Sequence, residues 1–380
     1  MRLIPGALLF TLLGASAALA APPPPLNSGL YQFPGAVYSP GSTQSGSVAM
    51  ADAWLADEPF DNPAVPPTRI VSVSPMIYHI SRQDLRASNR SFDEQSAYFD
   101  GAGGWVGFGK GKWSVFAYAH QPTLRLEDNS YLSGPIGLSP APTENSVSTR
   151  EFHGGAGLSR AFGRLRLGAA AEYTKRQDSY SNTDRSGSPV SGTTDVSFSG
   201  DAVGGVAGLR LELGPEKGVG QFMAGASVRY LPELKVSGDQ STDLVTLTST
   251  SPVSATRKSG YEGGVSLRYV ATSQVRVVGG AGGRTSQEWS GFDVTRGAGF
   301  RWGLGVDFHD VRDPWTLRFG LGQESDPGSP EPRSGVVGIG IGWKLDTTQL
   351  DFGLVQHNFK HNGSASCYDD RVLITAVIPF

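Results

Sequence analysis

From Arg69 to Phe380 apolar and polar positions alternate with a period of two, the signature of strands whose two faces meet different surroundings. About fourteen such segments follow one another, at 69–81, 98–109, 112–121, 148–160, 163–176, 194–212, 219–231, 255–270, 274–285, 296–309, 313–323, 334–344, 348–358 and 370–380. The sixth is long, which predicts a bulge or a short unpaired lead-in. Most run about ten residues or a little more, the length a tilted strand needs to cross a bilayer. In the tenth, Ala298, Phe300, Trp302, Leu304, Val306 and Phe308 share one face, and Arg301, Gly303, Gly305 and Asp307 share the other. The twelfth sets Val337, Ile339, Ile341 and Trp343 against Gly338, Gly340 and Gly342. One face suits lipid, while the other is small or charged.

The connections alternate long and short. Long ones are expected at 82–97, 122–147, 177–193, 232–254, 286–295, 324–333 and 359–369; short ones fall at Lys110-Gly111, 161–162, 213–218, 271–273, 310–312 and 345–347. A transmembrane β-barrel with short turns at one end and long loops at the other has this parity, and a soluble sandwich has no reason to keep it. An even strand number puts both termini at the periplasmic end. Trp113, Trp315, Trp343, Tyr269 and Phe380 then fall at the periplasmic interface and Tyr173, Tyr230 and Tyr261 at the outer one, where amphipathic rings prefer to lie. Phe380, closing an apolar alternating strand, matches the signature by which the barrel insertion machinery recognises its clients.

The first residues change the picture from a barrel to an exported barrel. Arg2, the apolar run Leu3–Leu13 and the small-x-small ending Ala18-Leu19-Ala20 form a signal peptide over 1–20. Mean hydropathy is -0.20 and 38% of residues are hydrophobic, with no long apolar run after the signal, which excludes a helical membrane protein. These bulk figures fit a soluble exported protein as well as a barrel; the strand and loop pattern selects the barrel. A net charge of -3 gives no case for nucleic acid, and the single Cys367 permits no internal disulfide. The 51 glycines show no three-residue period and fit a strand-rich chain with a crowded lumen.

Residues 21–67 are a Pro-, Gly- and Ala-rich leader ahead of the barrel at 68–380. Within it lie Gly46, Ala49, Ala51, Ala53, Ala56, the acidic Asp57, and then Asn62-Pro63-Ala64 directly before the first strand. On these residues the chain resembles the FadL-type family of outer-membrane transporters for long-chain fatty acids and other hydrophobic compounds. The resemblance implies a fourteen-stranded barrel plugged by an N-terminal hatch, passive transport, and residence in the bacterial outer membrane. Tyr230-Leu231-Pro232, opening a long polar loop, is a weaker echo. The chain departs from the pattern in its short, proline-led hatch and in Val65, where glycine often follows Asn-Pro-Ala. The small residues of 41–56 are expected against lumen glycines such as Gly303, Gly320 and Gly340; the rival reading is a periplasmic tail, which would leave Trp54, Leu55 and Phe60 exposed.

Parity supplies ligand-binding candidates in the lumen. Met76, Tyr78, Phe116, Tyr118 and Met223 could hold an acyl chain by burial and dispersion. Arg164, Arg166, Arg229, Arg268, Arg276 and Arg318 also face inward, and one could take a carboxylate head by two parallel hydrogen bonds. The alternative for each is pairing with Glu172, Glu262, Asp307 or Asp351. Gly101, Gly103 and Gly104 in the second strand, and Pro75 in the first, predict a lateral opening near strands one to three, with ordinary barrel bending as the alternative.

Other signals carry less. The stretch from Gly104 to Gly111 lacks the Ser or Thr a phosphate loop needs after Lys110. His357 and His361 are four apart, but on a strand end and a loop, so no metal and no cofactor is expected. No Ser/His/Asp set has support, and the chain is read as a non-enzyme. Its expected partners are outer-membrane lipids, a hydrophobic small molecule and the insertion machinery. The alternative function is an accessory barrel for secretion or surface attachment without transport; a barrel lipase or a general porin are further rivals.

Overall fold

The computed structural model describes residues 50, 58–66, 68–82, 95–128, 131–132, 141–184, 192–215, 218–244, 247–290, 294–296, 298–309, 314–325, 334–361 and 365–380. The expected signal peptide, the proline leader and the small residues of 41–49 and 51–57 lie outside them. The described residues form nineteen strands. They are β1 (Arg69–Arg82), β2 (Gln95–Lys110), β3 (Trp113–Asp128), β4 (Tyr131–Leu132), β5 (Ala141–Phe162), β6 (Leu165–Asp184), β7 (Gly192–Leu213), β8 (Phe222–Leu231), β9 (Leu234–Leu244) and β10 (Leu247–Arg257). The rest are β11 (Gly260–Val270), β12 (Val275–Arg284), β13 (Gln287–Ser290), β14 (Val294–Arg296), β15 (Gly299–His309), β16 (Trp315–Ser325), β17 (Ser334–Leu345), β18 (Thr348–His361) and β19 (Ala365–Pro379).

Fourteen of these strands close a ring in which every neighbour is antiparallel. The order is β1, β2, β3, β5, β6, β7, β8, β11, β12, β15, β16, β17, β18, β19 and back to β1. Closure joins Ile70 to Pro379 and Arg82 to Cys367. A closed ladder leaves no edge, so the backbone polar groups of the wall find partners without water.

Facing follows the alternation. Phe300, Leu317 and Ile339 are 48%, 46% and 48% exposed on the outer wall, while Gly303, Gly338 and Gly340 are buried on the inner one. An exterior of exposed Val, Leu, Ile and Phe is stable only against lipid, and the ring is a transmembrane barrel. Aromatic side chains gather at its two ends. Trp315 and Trp343 stack with ring centroids 4.9 Å apart at the short-turn end, and Tyr230 and Tyr261 meet at 5.4 Å at the long-loop end. Two of the short turns rest on glycine: Gly111 and Gly163 both have φ of 62°, a left-handed geometry that side chains resist.

Two expectations need correction. The long connections 122–147, 177–193, 232–254 and 286–295 are partly strand. β5 and β7 are each 22 residues long and β6 is 20, so they outrun the bilayer. β9 and β10 form a hairpin that pairs with β7 on one side and touches β13 on the other. These extensions are rich in Ser, Thr, Asn and Asp, and pairing there needs no apolar face to announce it. The long sixth segment carries neither a bulge nor an unpaired lead-in: β7 keeps one register with β6 throughout, and its first part takes β9 as its second partner instead of β8.

A lateral opening is expected near strands one to three, and the ladders answer differently for the glycines of β2 and for Pro75 of β1. β1, β2 and β3 stay in unbroken register across Gly101–Gly104. At Gly104 a Cβ would come within 2.5 Å of the Ser72 carbonyl oxygen, so glycine there serves a close strand approach. The skipped pairings fall at Ser74 and Pro75 between β1 and β19, where Pro75 is the expected interruption, and at Gln121 and Pro122 between β3 and β5. Each contains a proline, which has no N–H to give. At the first, the Ser74 hydroxyl donates to Thr375 at 3.2 Å and bridges the skip.

Candidate functional site

Residues 58–66 lie inside the ring, with Asn62 and Pro63 against a strip of wall made of glycine. Asn62 is the seat. Its amide Nδ2 donates to the Leu209 carbonyl at 3.0 Å, and its Oδ1 accepts the Ala64 N–H at 3.0 Å, a turn that asparagine makes within its own backbone. Its own N–H returns to the Glu58 carbonyl at 3.0 Å. The Val65 carbonyl accepts hydrogen bonds from the hydroxyls of Ser159 at 2.6 Å and Ser114 at 3.4 Å. Opposite Asn62 and Pro63 stand Gly208 and Gly168, where a Cβ would collide with the Asn62 side chain and the Pro63 carbonyl. The wall is hollowed where Asn62-Pro63-Ala64 needs room.

Phe60 sits in an aromatic nest. It packs with Val65, Trp105, Phe116, Tyr118 and Ala170 in one buried cluster. Its ring meets Tyr118 edge-on at 5.6 Å and lies 4.8 Å from the ring of His120. Arg229 covers the other side: its guanidinium stands 4.2 Å from the ring centroid and donates to the Phe60 carbonyl at 2.6 Å. Further toward the short turns, Met50 fills a second cluster with Met223 and Val278, and a Cβ at Gly305 would strike it.

A chain of buried charges crosses the lumen from the aromatic nest toward the long-loop end. Arg229 faces Glu172 at 3.3 Å, and Tyr118 donates its hydroxyl to the same carboxylate at 2.7 Å. His153 stands between Glu172 and Glu151, 3.3 Å from each. Glu151 then meets Arg176 at 3.3 Å and Arg257 at 3.2 Å, and Arg176 holds Asp178 through two hydrogen bonds of 2.7 and 2.9 Å. The Trp289 ring lies 5.0 Å from the Arg176 guanidinium. Burying these carboxylates is tolerable because each has a cation in contact with it. Arg257 belongs to β10, so the chain ties the β9–β10 hairpin to the wall strands β5 and β6.

The sequence-derived candidates divide into four outcomes. Phe116, Tyr118 and Met223 are buried in the lumen as expected, but Phe116 and Tyr118 pack on Phe60, and the Met223 thioether takes hydrogen bonds of 3.2 Å from both Arg210 and Arg268. Arg229 and Arg318 are committed to carboxylates, Arg318 to Asp351 at 2.5 Å, and Arg276 approaches Asp307 at 3.6 Å. The pairing alternative thus holds for these three. Arg166 turns to the Ser159 hydroxyl at 3.4 Å, whereas Arg164 is exposed at a turn and lines no lumen. Met76 and Tyr78 lie on β1 opposite Leu373 and Arg371, and their side chains, with those of His357, His361 and Cys367, are outside the described residues.

Sequence reasoning missed Glu151, His153, Arg176, Arg257 and His120. All five sit in or at the edge of the alternating segments, on positions that parity turns inward. A charged residue on the inner face of a strand was therefore the available signal; which charges meet across the lumen was not. Among the described residues no group of His, Cys, Asp and Glu could hold a metal ion.

No family model matches the chain, and no curated protein matches it. Solved structures do. A FadL homologue from Pseudomonas aeruginosa aligns with 13% identity over 89% of this chain and 98% of its own, with a TM-score of 0.62. The Ralstonia pickettii toluene transporter TbuX aligns with 14% identity over 90% and 100%, at 0.63. The toluene transporter TodX of Pseudomonas putida aligns with 13% identity over 88% and 98%, also at 0.63. At such identities it is the architecture that is shared. The chain has the fold of these FadL-like channels, a closed fourteen-stranded antiparallel barrel that matches them along nearly their whole length.

Proposed function

We propose that this barrel stands in a bacterial outer membrane and lets hydrophobic small molecules cross it passively, with residues 58–65 as part of a luminal hatch. The short turns and both termini then face the periplasm. The observation that carries the reading is the seating of Phe60–Val65 among Arg229, Trp105, Phe116 and Tyr118 inside a ring with an apolar exterior. A plug seated partly by aromatic contacts can be shifted by a ligand that replaces them. The FadL homologue, the toluene transporters and the monoaromatic hydrocarbon channel CymD support a hydrophobic cargo by analogy of fold. By resemblance, a long-chain fatty acid is the first cargo to test. The long outer loops would catch it, the aromatic nest would receive its chain, and no energy source is implied.

The test is uptake into liposomes carrying the full-length protein, comparing a labelled fatty acid with a labelled small sugar, with and without residues 26–60. Fatty-acid uptake that needs the segment, without sugar leakage, supports the reading. Sugar permeation by the intact chain makes it a porin. Uptake of neither leaves the accessory barrel in its place.

A further inference from the structure

We propose that the outer wall at the short-turn end of β1, β2 and β3 carries a specific site for an anionic phospholipid. A cleft of about 390 Å³ opens there, lined by Arg69, Phe108, Lys110, Trp113, Val115 and Phe380 among others. Register fixes its layout. Arg69 pairs with Phe108 and Phe108 with Val115, so the three form one outward row; the Phe380 N–H bonds the Arg69 carbonyl at 3.0 Å and extends the row. Lys110 pairs with Trp113 and Trp113 with Arg160 in the next row toward the rim. The Arg160 guanidinium lies 4.7 Å from the Trp113 ring centroid, on the wall beside the cleft.

The chemistry of these rows selects the ligand. Arg69 is exposed on the lipid-facing side between two aromatic residues, Phe380 and Phe108, whose rings meet edge-on at 5.4 Å. A guanidinium one row inside the aromatic rim gains from an anion that comes with its own apolar tail. Lys110 is its diagonal neighbour, about 7–8 Å away along the sheet, close enough for one phosphate to touch both. On the β1, β2, β3 and β5 side the field has one sign: between Val65 and Ile80, Gly101 and Gln121, and Gly154 and Ala171 there are cations but no Asp or Glu, and on the β18 side Asp346 stands beside Lys344. Arg69, Lys110, Lys112 and Arg160 therefore make a positive arc at this rim. A free carboxylate on Phe380 would offset one of the four charges and leave three. The phosphodiester sits between Arg69 and Lys110, and an acyl chain runs along Phe108, Val115 and Phe380. This site needs only that the barrel be embedded in lipid and is independent of what crosses it.

Native mass spectrometry of the full-length protein in a neutral detergent tests the site, with dioleoyl phosphatidylglycerol or dioleoyl phosphatidylcholine added at equal concentration. The expected result is about fivefold more protein retaining the anionic lipid. The pair of substitutions Arg69→Gln and Lys110→Gln removes that excess, whereas Lys344→Gln, at the same rim beside Trp343, leaves it intact. Should the double variant fail to insert, Lys110→Gln alone is expected to lose part of the excess. Equal retention of the two lipids overturns the proposal. So does an excess that survives in every folded site variant, one that Lys344→Gln removes equally, or displacement of the lipid by millimolar inorganic phosphate. Uptake assays stay unchanged in these variants, so failure here is distinct from failure of the transport reading.

Discussion

Arg229 grips Phe60 twice, through a hydrogen bond to its carbonyl at 2.6 Å and through a guanidinium stacked 4.2 Å from its ring. The same side chain neutralises Glu172, so one residue of the wall couples the luminal segment to the buried charge chain. Arg229→Ala removes both grips and leaves a carboxylate buried beside only a tyrosine and a histidine. Breaking a buried pair in this way costs about 3–5 kcal/mol. Arg229→Lys retains a cation for Glu172 but loses the planar stack, and is expected to fall between. The measurements are thermal unfolding in detergent and leakage of a small sugar from liposomes, with leakage rising in the order wild type, lysine, alanine.

The hollow beneath Asn62 and Pro63 gives a second expectation. Gly168→Ala and Gly208→Ala place a methyl where the Pro63 carbonyl and the Asn62 amide now lie. The wall keeps its ladder, since each position stays in register with its neighbours. The luminal segment is what yields. Hydrogen–deuterium exchange should accelerate at the amides of residues 60–62, 64 and 65 while the amides of β6 and β7 remain protected. Asn62→Ala should act alike, losing two buried hydrogen bonds of about 1 kcal/mol each.

Arg257 anchors the β9–β10 hairpin through Glu151, which also takes Arg176. Arg257→Ala should therefore free β9 and β10 from the wall without unfolding the barrel. Limited proteolysis of liposome-embedded protein is expected to cut within Leu234–Arg257 much faster than in wild type. Glu151→Gln should reproduce most of the effect, because a carboxamide serves neither arginine as well as a carboxylate. Equal cleavage rates would show that the β7 and β13 ladders hold the hairpin without this ion pair.

The greasy exterior sets the fourth expectation. Phe319 stands on the outer face of β16 about midway between the two rims. Phe319→Arg puts a charge near the bilayer centre at a cost of about 2–4 kcal/mol. Urea titration of folding into vesicles should show that loss. Phe319→Leu at the same position should change little.

Much of this was readable from the chain before any coordinates. The outward set of β15, β16 and β17 follows from residues such as Phe300, Leu317 and Ile339, because a lipid face demands apolar side chains at every second position. The limits of reading were of two kinds. Outside the bilayer that demand lapses, so Lys235, Ser237, Asp239 and Ser241 alternate with Leu234, Val236 and Gln240 in a strand that looked like a loop. Inside the lumen, hairpin register sets Glu151 opposite Arg176, but parity says nothing of Arg257 joining them, since only the folded ring brings residues a hundred positions apart into contact. Asn62-Pro63-Ala64 was singled out by resemblance, yet its seat is made of Gly168, Gly208, Ser114 and Ser159, which no local pattern marks.

The seam where Ile70 meets Pro379 has a consequence for assembly. The two strands that join there stand at opposite ends of the described wall, so whatever sheet has formed earlier keeps two raw borders until the final segment arrives. A chain cut short of β19 cannot leave behind a smaller, sound vessel; it leaves a curled ribbon open to every other ribbon nearby. The fifteen residues of β19 are in this sense the latch of the whole container.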